Sequence, residues 1–167
     1  GLDIMRDYPL LASFSDGVER FACEASWLHH PSAEKLLKSG CTWRGTKIKF
    51  DKHVSLNKGI ELVGDLRDTL TEDWLLDENR QGRHGLKETA WDYKGLRMRE
   101  FKEVFPMRTR VSKLHPIKET AMDAIQRKMN DPEGRKEAIE YAGLDALASF
   151  WVGDYLEEQL NQIEIFP

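Results

Sequence analysis

A chain of 167 residues, 40% of them hydrophobic and with five Trp and seven Phe, is long enough to close one core and too apolar to stay disordered. Its 25 Lys and Arg against 29 Asp and Glu leave a net charge of −4, which argues against a passive coat for nucleic acid, since that would carry a basic excess. No apolar run approaches the roughly 20 residues that cross a bilayer, so no membrane partner is expected. Cys23 and Cys41 have no metal-ligand spacing and read as free thiols in a reducing compartment.

In chain order, Leu10–Phe14 and Val18–Cys23 are strand-like runs flanking Ser15-Asp16-Gly17, a hairpin signal. Ser32 precedes a short helix over 33–38 that Gly40 stops. Thr42–Phe50 alternates loosely as a strand and ends at Asp51, which is placed to cap a following helix. Asp68 or Thr69 caps a helix whose Leu70, Trp74, Leu75 and Leu76 make an apolar stripe. A helix over Leu86–Tyr93 ends at Gly95. The stretch Lys94–Lys113 is irregular, divided by Pro106, and basic through Arg97, Arg99, Lys102, Arg108 and Arg110 with Phe101, Phe105 and Met107 between them. It reads either as a solvated loop with its aromatics in the core or as a contact for single-stranded nucleic acid. Pro116 opens a helix to about Met129, and Asp131-Pro132 starts a last one with a kink near Gly153, running to Leu160. Residues 160–167 read as an exit segment of a single domain spanning 1–167. Strands first and helices later, with one strand–helix–strand alternation, place the chain in the α/β class.

Tyr141 and Asp145 stand four apart on that last helix and so project from one face, one turn apart. A carboxylate there is able to hold a hard divalent cation, and the phenol to position a water. The plain alternative is a surface Asp and a half-buried Tyr on an amphipathic helix. Lys49-Phe50-Asp51-Lys52-His53-Val54 brings a second carboxylate just after a strand-like run. His53 and His84 read as surface or structural, since hard metals prefer oxygen.

Taken together these stretches resemble the 3′–5′ proofreading exonuclease domain of family A DNA polymerases, in the branch whose third motif is Tyr-x-x-x-Asp. Phe50-Asp51-Lys52-His53-Val54 looks like the second motif, with Lys47 where the family has Asn. Asp68-Thr69 and His84-Gly85-Leu86-Lys87-Glu88-Thr89-Ala90 are similar to two further family stretches, so the resemblance runs in order over about Leu10 to Leu160. The family's first motif, Asp-x-Glu on the opening strand, is not visible. Gly1-Leu2-Asp3 looks like the residues just after it, and Asp3-Ile4-Met5 is a weaker reading of the motif itself with Met5 in place of Glu.

The resemblance implies a ribonuclease H-like fold, a mixed sheet flanked by helices, whose central first strand is missing or supplied by residues outside this sequence. It implies two-metal hydrolysis at the 3′ end of single-stranded DNA with Mg²⁺ or Mn²⁺. Asp51 and Asp145 then serve as metal ligands, Tyr141 orients the water, and Asp68 and Phe50 support the site. It also implies a polymerase domain of a longer parent and a cytoplasmic setting, the cytosol of a phage-infected or bacterial host. With one or two carboxylates missing, the chain alone is expected to have little nuclease activity. The alternative is a degenerate exonuclease fold kept as a scaffold or single-strand-binding module, and a third reading is a ribonuclease of the same fold.

Overall fold

Asp131 accepts the N–H of Gly134 at 2.7 Å and Pro132 occupies the first turn behind it, so the chain enters its longest helix fully capped. That helix, α7, runs unbroken over Pro132–Gln162, roughly 46 Å at 1.5 Å per residue. In the computed structural model, which describes residues 5, 8–111 and 116–163 with backbone alone at 109–111 and 116–118, α7 packs against more of the other elements than any of them does. Ala148, Val152 and Leu156 meet Ala90 and Met98 on one side, and Ala138 meets Val104, Phe105, Ala124 and Met129 on another.

Among the described residues the strands form three separate two-stranded sheets in a mixed α/β architecture. β1 (Leu11–Ser15) and β2 (Arg20–Glu24) make the expected antiparallel hairpin, with Leu11 opposite Glu24 and Ser15 opposite Arg20. Asp16 Oδ1 accepts the N–H groups of Val18 at 3.0 Å and Glu19 at 2.8 Å, which closes the turn and holds the Asp16 carboxyl below its ordinary pKa. Gly17, at φ +90°, lies so close to the Phe150 ring that a Cβ would stand 2.4 Å from it. Trp151 Nε1 donates to the Gly17 carbonyl at 3.0 Å, so the hairpin tip is seated on α7. Ala12, Phe14 and Cys23 pack on the opposite side with Leu28, Leu37, Ile60 and Leu62.

A 3₁₀ turn over Ala25–His29 leads into α1 (Pro31–Leu37), capped by His30 Nδ1 accepting the Ser32 N–H at 3.3 Å, so the cap is His30 rather than Ser32. β3 covers only Trp43–Gly45 and pairs parallel with β4 (Leu66–Asp68). Between them α2 begins at Ile48, which shortens the strand expected through Phe50 and puts Asp51 inside the first helical turn instead of at the cap. The reason is Lys47, whose left-handed φ of 62° breaks the strand two residues after Gly45. α3 (Thr69–Leu76) is capped by Asp68 as expected, and α4 (Leu86–Lys94) ends on Gly95 at φ 63°.

Several expectations are corrected. Pro116 starts a strand, β6 (Pro116–Lys118), antiparallel to β5 (Thr109–Val111), and the helix that follows, α6 (Ala121–Met129), begins at a Thr120–Asp123 capping box. The segment before β5 is partly ordered as α5 (Phe101–Val104), with Phe105 buried and Met107 exposed. α7 runs as one helix through Gly153, where a kink was expected; a Cβ there would meet Arg44 Cδ at 1.9 Å, so the glycine serves a close approach. The same helix extends over Asn161 and Gln162, into the stretch expected as an exit segment, while 164–167 and the residues Asp3 and Ile4 of the weaker motif reading lie outside the described residues. On α3 the apolar stripe is not what is buried: Trp74 and Leu75 are exposed and Glu72 and Asp73 are inside.

Gly64 fixes the loop into β4. Its φ is +129° and a Cβ would stand 1.9 Å from the Cys41 carbonyl oxygen, a backbone atom with no room to give. Gly64→Ala is therefore expected to lower stability by about 1–3 kcal/mol, read as a shift in the urea midpoint at unchanged slope.

Candidate functional site

A cleft of about 980 Å³ is lined by all of β1 and β3 and by residues of α2 and α7. Asp51 from α2 and Asp145 from α7, 94 positions apart, both line it. Both carboxylates thus border one cleft, whose lining does not include Tyr141. Tyr141 stands one turn before Asp145 on the same helix.

Asp51 is placed by a clamp at the ends of the parallel strands. Asp68 Oδ1 accepts the Lys47 N–H at 3.0 Å and the Leu70 N–H at 3.1 Å, tying the start of α2 to the start of α3. The hydroxyls of Thr46 and Thr69 meet at 2.7 Å beside it. Asp68 is therefore the N-cap, and Phe50 is half-buried on the first turn of α2. Enclosure by the cleft walls, with the Asp68 carboxylate as a second cause, pushes the Asp51 carboxyl up to about 6. Its surface is nonetheless open to water. The shift therefore marks the electrostatics of the cleft and translates into little stability.

Asp145 is more enclosed. Burial pushes its carboxyl up to about 6, against the opposing pull of the Lys87 ammonium and the Tyr141 hydroxyl. Its Oδ1 is buried with no hydrogen-bond partner, an uncommon state for a carboxylate oxygen in a folded protein. The Tyr141 phenol is raised by burial first and by Asp145 second. Its ring stands edge-on to Phe105 at 5.8 Å, and Lys87 Nζ lies 5.5 Å from the ring centroid. Lys87 thus joins the site, a role its place in the sequence does not announce. Only its position beside His84 and Leu86 at the opening of α4 pointed there.

Glu157, which also lines the cleft, receives Arg44 and Arg67, and Arg67 Nε reaches Glu72 at 2.6 Å. This ion-pair network still leaves Arg44 Nε and Glu72 Oε2 buried without a partner.

For a divalent cation, Asp51 and Asp145 are donors of the right kind, hard oxygens, and the orphaned Oδ1 of Asp145 has the character of a ligand without its ion. They are few. Among the described residues no group of three or more His, Cys, Asp or Glu side chains is gathered to hold a metal. His53 is exposed with its Nδ1 paired to the Lys49 carbonyl at 2.6 Å, and His84 is buried with its Nδ1 against Asp73, a surface and a structural position respectively. Cys23 and Cys41 are free thiols.

Of the basic segment, Arg97, Lys102 and Arg108 have exposed side chains, while Arg99 pairs with Glu137. The side chain of Arg110 lies outside the described residues. Among the described residues no helix is long and apolar enough to cross a membrane. Compared with models of protein families the sequence matches none, and no curated protein matches it either.

Proposed function

We propose that the chain is a 3′–5′ exonuclease-like domain of ribonuclease H-like fold, part of a DNA polymerase working in the cytosol of a phage-infected or bacterial cell. The observation that supports this most is the meeting of Asp51 and Asp145 on one cleft, with Tyr141 one turn from Asp145 and an unsatisfied carboxylate oxygen facing no partner. Asp145 and Asp51 are the residues that would hold Mg²⁺ or Mn²⁺, as part of a set completed by further carboxylates. Such an ion, when bound, supplies Lewis-acid stabilisation of the attacking and leaving oxygens of a phosphodiester.

The chain's own residues do the rest. The Tyr141 hydroxyl, kept protonated by its raised pKa, is a donor that orients a water beside Asp145. Lys87 balances the carboxylate and offers a cation to a phosphate oxygen. Arg97, Lys102 and Arg108 offer phosphate contacts to a single-stranded 3′ end approaching over α5. Because Asp145 and Asp51 lose their protons only near pH 6, cation affinity falls as pH drops through that value.

The test is Mn²⁺ titration of the chain by calorimetry. Weak binding is expected, reduced about tenfold or more by Asp145→Ala and by Asp51→Ala, and weaker at pH 5.5 than at pH 7.5. Indifference to both substitutions would overturn the reading. Release of mononucleotides from a 3′-labelled oligonucleotide by the chain alone is expected to be marginal; robust release would show that two carboxylates suffice. A second reading, a binding module of the same fold without catalysis, is favoured by the absence of a third ligand among the described residues. It requires single-strand affinity that survives Asp145→Ala and divalent-ion chelation.

A further inference from the structure

Among the described residues four of the five tryptophans have a ring or hydrogen-bond partner: Trp27 lies against His30, Trp43 against Phe14 and Trp74 against His84, and Trp151 Nε1 donates to the Gly17 carbonyl. Trp91 has none, and 56% of its surface is exposed. On α4, Lys87, Trp91 and Lys94 stand at i, i+4 and i+7 and so share one flank, whereas Glu88 and Asp92 share the next. Asp92 is already paired there with Arg80 and Arg83. Beyond Gly95 the side chain of Arg97 is exposed, and among the described residues neither Arg97 nor Lys94 makes an ion pair. We propose that the flank of α4 bearing Lys87, Trp91 and Lys94 is a stacking platform for single-stranded nucleic acid, with a base on the Trp91 ring and its flanking phosphates on Lys87 and Lys94.

The alternation of cation and ring decides the occupant. Lys87 and Lys94 are separated by about 10.5 Å along the helix axis at 1.5 Å per residue, and the indole lies between them. A nucleic acid strand repeats the same order, a flat base between two phosphates, and every base has a face to stack. An acidic peptide would satisfy the lysines and leave the ring bare. An apolar partner would cover the ring and bury the lysines without a counter-charge. Lys94 Nζ stands 5.3 Å from the Tyr155 ring centroid, a contact that keeps the ammonium charged and open to a phosphate.

The flank also gives the bound strand a direction. Lys87 Nζ lies 5.5 Å from the Tyr141 ring centroid, so the Lys87 end of the flank borders Tyr141 and Asp145. Trp91 is one turn, about 6 Å, farther along α4. The stacked base therefore belongs to a nucleotide inward of the strand's end, and Trp91 is a positioning residue. Glu100 Oε2, 3.4 Å from Lys87 Nζ, is the group an arriving phosphate displaces. The direction rests on the reading of Asp145 and Asp51 proposed above; the platform does not, because stacking and phosphate contact need no metal ion.

The test is fluorescence anisotropy of a labelled thymidylate octamer titrated with the chain in EDTA at low salt. Trp91→Ala is expected to weaken binding about tenfold or more at an unchanged urea midpoint, and Trp91→Phe by less than about threefold, because a smaller ring still stacks. Trp27→Ala removes another exposed tryptophan, from the 3₁₀ turn, and is expected to change nothing. An abasic octamer of the same charge should bind the wild-type chain about as weakly as the thymidylate octamer binds Trp91→Ala, a comparison that needs no folded variant. Lys94→Ala should lower the slope of log affinity against log salt by about 0.7. Equal effects of Trp91→Ala and Trp27→Ala, equal affinity for the abasic octamer, an unchanged salt slope, tighter binding of an oligoglutamate peptide, or no binding up to about 1 mM would overturn the platform. Should Trp91→Ala act as expected while Mn²⁺ binding ignores Asp145→Ala, the platform stands and the metal-site reading fails.

Discussion

Asp73→Ala is expected to cost about 3–5 kcal/mol of folding stability, the usual penalty for removing one partner of a buried ion pair. Asp73 has no solvent-exposed surface. One carboxylate oxygen accepts from Arg80 and from the Tyr93 hydroxyl, and the other meets His84 Nδ1 at 2.6 Å. Alanine would leave a guanidinium, a phenol and an imidazole inside the protein without their shared acceptor, and the His84 Nε2 is already buried without one. Arg80 keeps Asp92 as a second partner, which limits the loss. The damage spreads beyond α3, because Tyr93 stacks on Tyr155 of α7 with centroids 4.6 Å apart and carries the α4 packing with it. Asp73→Asn retains an acceptor and is expected to cost less. Urea unfolding decides the matter: a midpoint shift worth under about 1 kcal/mol would mean that the pairs are replaceable by water.

The same network shows where the sequence was hard to read. On α3 the apolar residues Trp74 and Leu75 look like a buried stripe, yet Glu72 and Asp73 go inside. Their partners are Arg67, Arg80, His84 and Tyr93, on other elements, and nothing local in 69–76 discloses them. Features with local causes were legible. Asp16 closes its hairpin, Asp68 and Asp131 cap their helices, and Gly95 ends its helix in the left-handed region, all through contacts within a few residues. Where one residue's conformation decides, the pattern misled: Lys47 at φ 62° converts the last part of an alternating run into the first turn of a helix. Pro116 misled likewise, since proline suits the start of a strand as well as that of a helix.

The candidate site divides along the same line. Tyr141 and Asp145 are neighbours by helical spacing alone. That Asp51 shares a cleft with Asp145 follows from no spacing; it was expected from a resemblance of ordered motifs, and the start of its helix is held by the Asp68 clamp. Which basic side chains of 94–113 are engaged within the chain was not legible at all, because Arg99 pairs with Glu137 on a helix about forty residues away.

Asp145→Asn is expected to stabilise the protein at neutral pH, the reverse of Asp73→Ala. The Asp145 carboxyl has an ordinary value of 3.8 and is pushed up to about 6 in the folded chain, chiefly by burial. Below pH 4 it is protonated in both states and contributes no penalty. Between pH 4 and 6 the unfolded chain releases the proton first, so stability falls as pH rises, and above 6 the penalty is complete. At 1.36 kcal/mol per unit the ceiling is about 3 kcal/mol; partial exposure and the counter-charge of Lys87 reduce this to about 1–2 kcal/mol at pH 7.5. Asn removes the charge and inherits an oxygen that had no partner to lose. Urea midpoints at pH 4 and 7.5 should therefore differ in the wild-type chain by this amount relative to Asp145→Asn, with near equality at pH 4. Saturating Mn²⁺, together with whatever completes the site, should stabilise the wild-type chain and not the variant. Glu119 provides the contrast, a carboxyl held down to about 2 by Arg127 and the Arg108 N–H, as a carboxylate with settled partners should be. If Asp145→Asn instead destabilised the protein at pH 7.5, Asp145 would be a structural residue like Glu119, and the cleft would lose its strongest sign of chemistry.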